Sequence, residues 1–271
     1  MKTVSTGISN WLTGEIKMDY LKKNADIWDK NVENKNRWTK PVSRETVDNA
    51  RKGIWDVLLS PNKPVPKSWF PEDLKDKKVL LLAGGGGQQG PILAAAGADV
   101  TVFDNSPKQL EQDRMVAERD NLNIKTVHGN VQDLSVFADE SFDFIMQLVG
   151  CWVDSILPVW KEAYRVLKKG GVMISGLVNP IEFLFDLERL EKGELVVRHK
   201  IPYSDLTSLD KDEFERLTAS EGIAFGHTLH DQIQGQIDAG FLIAGFYEDN
   251  GDGTILDNYI DMYIATKAIK V

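Results

Sequence analysis

Residues 79–104 read VLLLAGGGGQQGPILAAAGADVTVFD. Gly85, Gly87 and Gly90 stand at G-x-G-x-x-G spacing, and Asp104 closes a second apolar run. Glycines between a strand and a helix let a ligand approach the backbone, and the helix start offers free N–H groups and a positive dipole end. An acid about 20 positions further on, at the tip of the second strand, accepts hydrogen bonds from ribose hydroxyls. Gly84 to Asp104 fits that distance, so the stretch predicts an adenosine-type ligand. It does not choose between NAD and S-adenosylmethionine, which are held at the same corner of an α/β sheet. A tight packing turn beside an incidental surface aspartate is the plain alternative.

Other reactive side chains are sparse. Cys151 follows the fourth apolar run and reads first as a small buried residue. His128 precedes Gly129 and reads equally as a base or as a structural neighbour of an adenine loop. His227 and His230 lie three apart, and no third ligand stands at metal-site spacing. Trp152 lies beyond the fourth run. With Trp11, Trp28, Trp38 or Trp55 it forms either an aromatic roof suited to a cation or flat acceptor, or plain core packing.

The elements that must position these residues alternate. Strands are expected at 79–83, 99–104, 123–129, 141–149 and 171–177, with helices at 88–97, 107–120 and 158–169. Pro107 suits a first helical turn, and Gly170–Gly171 are expected to stop the third helix. Such alternation gives a parallel sheet covered on both faces. Upstream, 43–59 is predicted as an amphipathic helix capped at Ser43, followed by a connector holding Pro61, Pro64, Pro66 and Pro71. After Pro180 the rhythm breaks. A charged, hairpin-like stretch to 210 has its best strand at 196–203, and a capped helix is expected over 209–222. A helix near 230–239, a strand at 241–249, the turn NGDG and a strand at 259–269 close the chain as an antiparallel hairpin.

Composition narrows the class. The 271 residues are 42% hydrophobic and 27% charged, ordinary for a soluble globular protein. No apolar run approaches the roughly 20 residues of a membrane helix. The first residues lack the apolar core of a signal peptide, and the single cysteine forbids an intrachain disulfide, so the default expectation is cytoplasmic. A formal charge of −9 disfavours nucleic acid as partner; the basic stretch KDKK at 75–78 is short and holds its own Asp76.

The later phrases carry a resemblance. SFDFIM at 141–146, Arg165-Val166-Leu167-Lys168-Lys169-Gly170-Gly171 and the closing hairpin ending MYIATKAI resemble class I S-adenosylmethionine-dependent methyltransferases. The phrase GGGGQQ, preceded by WFPEDL, looks like a bacterial branch of that family. The resemblance covers 78–178 well and 230–270 less closely. It implies a Rossmann-like methyltransferase fold: a doubly wound, mostly parallel seven-stranded sheet with an antiparallel last strand. Residues 1–70 would form an N-terminal helical cap, and 71–271 the methyltransferase domain with an insertion at 181–228 after strand five. S-adenosyl-L-methionine would be the cofactor and S-adenosyl-L-homocysteine its product.

Carried over by position, the family's acid falls on Leu81, and its loop glycines fall on Ala83, Gly85 and Gly87. The carboxylate and one glycine are therefore missing, with Gln88, Gln89 or an N-terminal residue as possible substitutes for the acid. The implied cofactor residues are Ala83, Gly84, Gly85, Gly86, Gly87, Gln88, Asp104, Asn105, Gln109, Asn130, Val131, Gln147 and Leu148. Asp104 would take the ribose, Asn130 and the Val131 N–H the adenine, and Gln147 and Leu148 would line the methyl-donor pocket. Methyl transfer from a sulfonium is an in-line displacement that needs positioning, dryness and sometimes a base, so no fixed catalytic residue carries over. The acceptor is expected to be a small molecule. Two other readings stand beside this one: a nicotinamide-dependent oxidoreductase, which an antiparallel last strand would count against, and a binding module without turnover, which Leu81 and Ala83 keep open.

Overall fold

The computed structural model describes residues 19–251 and 253–271. Trp11, one of the possible roof residues, lies outside them. Five strands run β1 (Lys78–Leu82), β2 (Asp99–Asp104), β3 (Ile124–His128), β4 (Phe142–Gln147) and β5 (Leu167–Val178). After a small two-stranded ribbon, β6 (Tyr203–Ser204) and β7 (Phe225–Gly226), come β8 (Phe241–Asp249) and β9 (Tyr263–Lys270). The main sheet has seven strands in the order β3-β2-β1-β4-β5-β9-β8. Neighbours among β1–β5 pair parallel, whereas β9 runs antiparallel to both β5 and β8. The strand expected to count against a nicotinamide enzyme is therefore present.

Helices cover both faces because each central strand is apolar on both sides. Leu80, Leu82, Phe103, Ile145 and Met173 face one side, packed under Val159, Trp160 and Ala163 of α5 (Leu157–Val166). Val79, Leu81, Val100, Val102 and Phe144 face the other. There they meet α2 (Arg44–Arg51), α3 (Gln89–Ala95) and α4 (Pro107–Asp120). The proline-rich connector lies on this second face: Phe70 stacks on Phe144 with ring centroids 5.2 Å apart, and Trp69 meets Tyr247 at 5.2 Å. Trp55 packs edge-on against Phe70.

Several boundaries differ from expectation for local reasons. Ser43 does cap α2, its hydroxyl accepting the Thr46 N–H, but the helix ends at Arg51 rather than at 59. Gly53, at φ +80°, turns the chain away, leaving Ile54 exposed. Helix α5 stops at Val166, before the two glycines; Leu167–Gly171 already extend β5, and Gly170 takes φ +77° inside that irregular start. The strand expected at 196–203 shrinks to a Phe185–Val197 bridge and to Tyr203–Ser204 in β6. The intervening chain folds as α6 (Leu187–Glu191), α7 (Asp205–Ser208) and α8 (Lys211–Leu217). Helix α8 is shorter than 209–222 but starts with a reciprocal Asp210–Glu213 capping box. The helix near 230–239 is a π-turn at His230–Gln234 leading into α9 (Gly235–Asp238).

The first described helix, α1 (Tyr20–Glu33), ties these outlying parts together. Buried Asn24 accepts the Ile223 N–H at 2.7 Å and donates to the Ile223 carbonyl at 3.1 Å. Tyr20 packs edge-on against Phe225, 5.1 Å between centroids. At its other end, Asp29 accepts from the Ser106 hydroxyl at 2.5 Å and the Lys108 N–H at 3.0 Å. One helix thus joins the insertion to the start of α4. Asn24→Ala strands two backbone groups, which costs about 2 kcal/mol locally. Limited proteolysis should then cut between residues 200 and 226 several times faster than in the parent protein.

Candidate functional site

The glycine loop leaves β1 with Ala83 already in the left-handed region, at φ +51°. Its N–H still donates to the Phe103 carbonyl at 2.9 Å. A side chain in that conformation is strained by roughly 1 kcal/mol relative to glycine. Ala83→Gly should therefore raise the unfolding free energy by about 1 kcal/mol, read as a higher melting temperature.

Beyond Ala83 the chain is pressed against α4. A Cβ at Gly85 would stand 2.7 Å from Cβ of Gln109 and 2.9 Å from Oδ2 of Asp104. The Gly86 N–H donates to the Gln109 carbonyl at 3.1 Å and to Oδ2 of Asp113 at 3.0 Å, with φ at +108°. Residues upstream of α2 hold the far end: the Val42 N–H donates to the Gly87 carbonyl, and the Gln88 amide donates to the Arg37 and Lys40 carbonyls.

Asp104 sits at the tip of β2, 8% exposed. Its Oδ2 accepts the Gly85 N–H at 3.0 Å and its Oδ1 the Ser106 N–H at 2.9 Å. Burial pushes its carboxyl above the usual range, and the Ser106, Gly85 and Asn105 N–H groups oppose the rise. A carboxylate has about four acceptor positions, and three N–H groups face this one, so it keeps room for a hydroxyl arriving from the cavity it borders.

That cavity, of about 1230 Å³, runs from the glycine loop and Asp104 past the end of β4 into the insertion. Of the residues expected from sequence, Ala83, Gly84, Gly85, Gln88, Asp104, Asn105, Gln109, Asn130, Val131 and Leu148 line it. Gly86 and Gly87 do not; their backbones are spent on α4 and on Val42. Gln147 does not either. It is fully buried, its oxygen accepting the Val149 N–H at 2.5 Å while its amide reaches the Gly176 carbonyl, so it ties β4 to β5. The oxygen of Asn130 accepts the Gln132 N–H at 3.0 Å in a local turn. Gln109 lines the cavity, but its side-chain oxygen is buried without a partner and faces the loop, 2.8 Å from where a Cβ at Gly86 would stand.

The remaining candidates separate. Trp28 meets Trp152 edge to face, 5.5 Å between centroids, and both line the cavity with Trp38; Trp55 does not. Cys151 also lines it, its thiol pushed up by burial and kept un-ionised. His128 donates to the Asn105 carbonyl at 3.1 Å and is not part of the wall. Burial lowers the His227 imidazole. Among the described residues, no group of three or more His, Cys, Asp or Glu is arranged to hold a metal ion.

Sequence reasoning missed Asp113 and Asn24. Asp113 is completely buried in the middle of α4, between Leu110 and Val116 on the same face. A carboxylate at a core position of a helix was the available signal.

Known proteins resemble this arrangement. Residues 80–175 match a family model described as a methyltransferase domain. The chain is 58% identical over 250 residues to a protein of Bacillus subtilis (strain 168) named uncharacterized methyltransferase YbaJ, covering 92% of this chain and 97% of that one. A solved S-adenosylmethionine-dependent methyltransferase from Mesorhizobium loti aligns at TM-score 0.57 and 15% identity, over 75% of this chain and 94% of its own. Geranyl diphosphate C-methyltransferase from Streptomyces coelicolor A3(2), solved with Mg²⁺, geranyl diphosphate and S-adenosyl-L-homocysteine, aligns at 0.56 and 13%, over 94% and 99%. At these identities the two structures speak to the fold.

Proposed function

This chain belongs to the methyltransferase family, and we propose that it transfers a methyl group from S-adenosyl-L-methionine to a small molecule held in the same cavity. The observation that carries the reading is the continuity of that cavity from Asp104 to the insertion. Its volume of about 1230 Å³ exceeds the roughly 300–1,000 Å³ of a pocket for one ligand, which leaves room for donor and acceptor together.

The fit of the donor rests on unspent groups. Asp104 retains acceptor capacity for a ribose hydroxyl at the cavity's edge. Asn105, Asn130 and Val131 border the adenine end, while Ala83, Gly84, Gly85 and Gln88 border the methionine end. Leu148, Cys151 and Trp152 flank the gap where the methyl would point. Gly86, Gly87 and Gln147 act from behind, fixing the loop and the end of β4.

When bound, the donor supplies an electrophilic sulfonium methyl. The chain supplies alignment and dryness: Trp28 and Trp152 wall the gap, and α1 with the insertion closes over it. Among the described residues no helix is long and apolar enough to cross a membrane.

The reading is tested by incubating the protein with methyl-tritiated S-adenosylmethionine and a heat-inactivated whole-cell extract of its own source, which holds small molecules, protein and nucleic acid. Label should move to a product below about 1 kDa, and Trp152→Ala should reduce the transfer. Label found only on protein or nucleic acid would refute the small-molecule acceptor.

A further inference from the structure

We propose that Asp113 is a positioning residue that clamps the glycine loop from the side away from the cavity, and that the loop's hold on its cofactor follows the charge on this carboxylate. The proposal rests on the cofactor reading above for its second half only.

Two consecutive loop N–H groups go to two different carboxylates. Gly85 donates to Asp104 at 3.0 Å, and Gly86 donates to Asp113 at 3.0 Å. Asp104 borders the cavity; Asp113 has no exposed surface at all. Asp113 also meets the loop's other end. A Cβ at Gly90 would stand 3.0 Å from its Oδ1 and 3.4 Å from Cδ1 of Leu81. The carboxylate therefore spans from the Gly86 turn to the first turn of α3, and its strand neighbour Leu81 is apolar. A buried carboxylate on the core face of a helix is costly unless its hydrogen bonds return the cost. Here Oδ2 holds Gly86 at φ +108°, a conformation few other residues adopt, while Oδ1 has no hydrogen-bond partner and leaves part of that cost standing.

An ionised acceptor makes the stronger, shorter bond to a backbone N–H, so the clamp tightens when Asp113 loses its proton. Burial pushes Asp113 up to about 7, against the Gly87 and Gly86 N–H groups; Asp104 adds to the rise and Arg114 opposes it. Other charges on the elements around α4 are engaged elsewhere. Asp29 serves Ser106 and Lys108, Glu33 pairs with Lys108, Arg44 pairs with Asp120, and His128 donates to Asn105. Lys125 of β3 is exposed, and α3 carries no ionisable side chain.

The test has two readouts. In the protein without cofactor, the Gly86 amide resonance should titrate with a midpoint near 7 and be flat in Asp113→Asn. Calorimetric titration with S-adenosylhomocysteine should give a Kd about fivefold weaker at pH 6 than at pH 8. Asp113→Asn should hold the weaker value at both. A Gly86 resonance that does not titrate overturns the clamp, and it needs no variant to fold. A variant with the parent's affinity and pH profile overturns the link to the cofactor. If Gly86 titrates but the parent protein binds no S-adenosylhomocysteine, the clamp stands and the cofactor reading falls.

Discussion

Asp104→Ala is expected to weaken S-adenosylhomocysteine binding about 30-fold, because a hydrogen bond to a charged acceptor, worth about 1.5–3 kcal/mol, disappears. The same change frees the buried N–H groups of Gly85 and Ser106, so some stability is lost as well. Asp104→Asn separates the two effects. It keeps one acceptor oxygen and should fall in between, about tenfold weaker, with a smaller drop in melting temperature. Binding can be followed through the fluorescence of Trp28 and Trp152, which wall the cavity. Unchanged affinity in folded Asp104→Ala would remove Asp104 from the site.

The second large effect is on stability, and its sign is opposite to intuition. The folded carboxyl of Asp113 titrates at about 7, above its ordinary 3.8. A group with a raised folded value contributes stability that is complete below its unfolded value and is lost as pH rises through the folded one. Asp113 therefore weakens the folded state progressively between about pH 4 and pH 7. The gap corresponds to about 4 kcal/mol at most. Asp113→Asn cannot ionise, and after loss of the stronger Gly86 bond it should still be more stable than the parent by about 2 kcal/mol at pH 8. At pH 5 the advantage should shrink towards zero. Urea unfolding of both proteins at the two pH values measures this difference directly. An advantage independent of pH would contradict the buried titration. Together with the weaker cofactor binding expected of the same variant, this describes a site that gives up stability for a tighter loop.

The strand–helix alternation from β1 to β5 was legible because both periodicities are strong there: β2 and α4 run Asp99–Asp104 and Pro107–Asp120, as expected. The closing hairpin was legible from its apolar strands, although the last one begins at Tyr263 rather than 259, after a 3₁₀ turn at Ile255–Asn258. What escaped depended on distant partners. Leu167–Gly171 look like a helix end, yet Phe142 of β4 pairs with Leu167 and the next four residues bulge before the register resumes at Val172. The insertion has few long apolar runs, so its short elements follow from packing against α1 through Asn24 and Tyr20, which no local pattern announces. The contact of Asp104 with the loop was readable from their spacing. Gln147 was misread because position along a strand does not reveal which way an amide turns once β5 offers it a carbonyl. Asp113 lay hidden for the converse reason: its partner, the Gly86 N–H, is 27 residues away.

The central claim is that this loop and Asp104 hold S-adenosylmethionine, and calorimetric titration of the purified protein with S-adenosylhomocysteine, with NAD in parallel, tests it most directly. The account predicts micromolar binding of S-adenosylhomocysteine, about −8 kcal/mol, and no heat with NAD. Binding of NAD alone, or no binding of S-adenosylhomocysteine by protein that is folded, would contradict it.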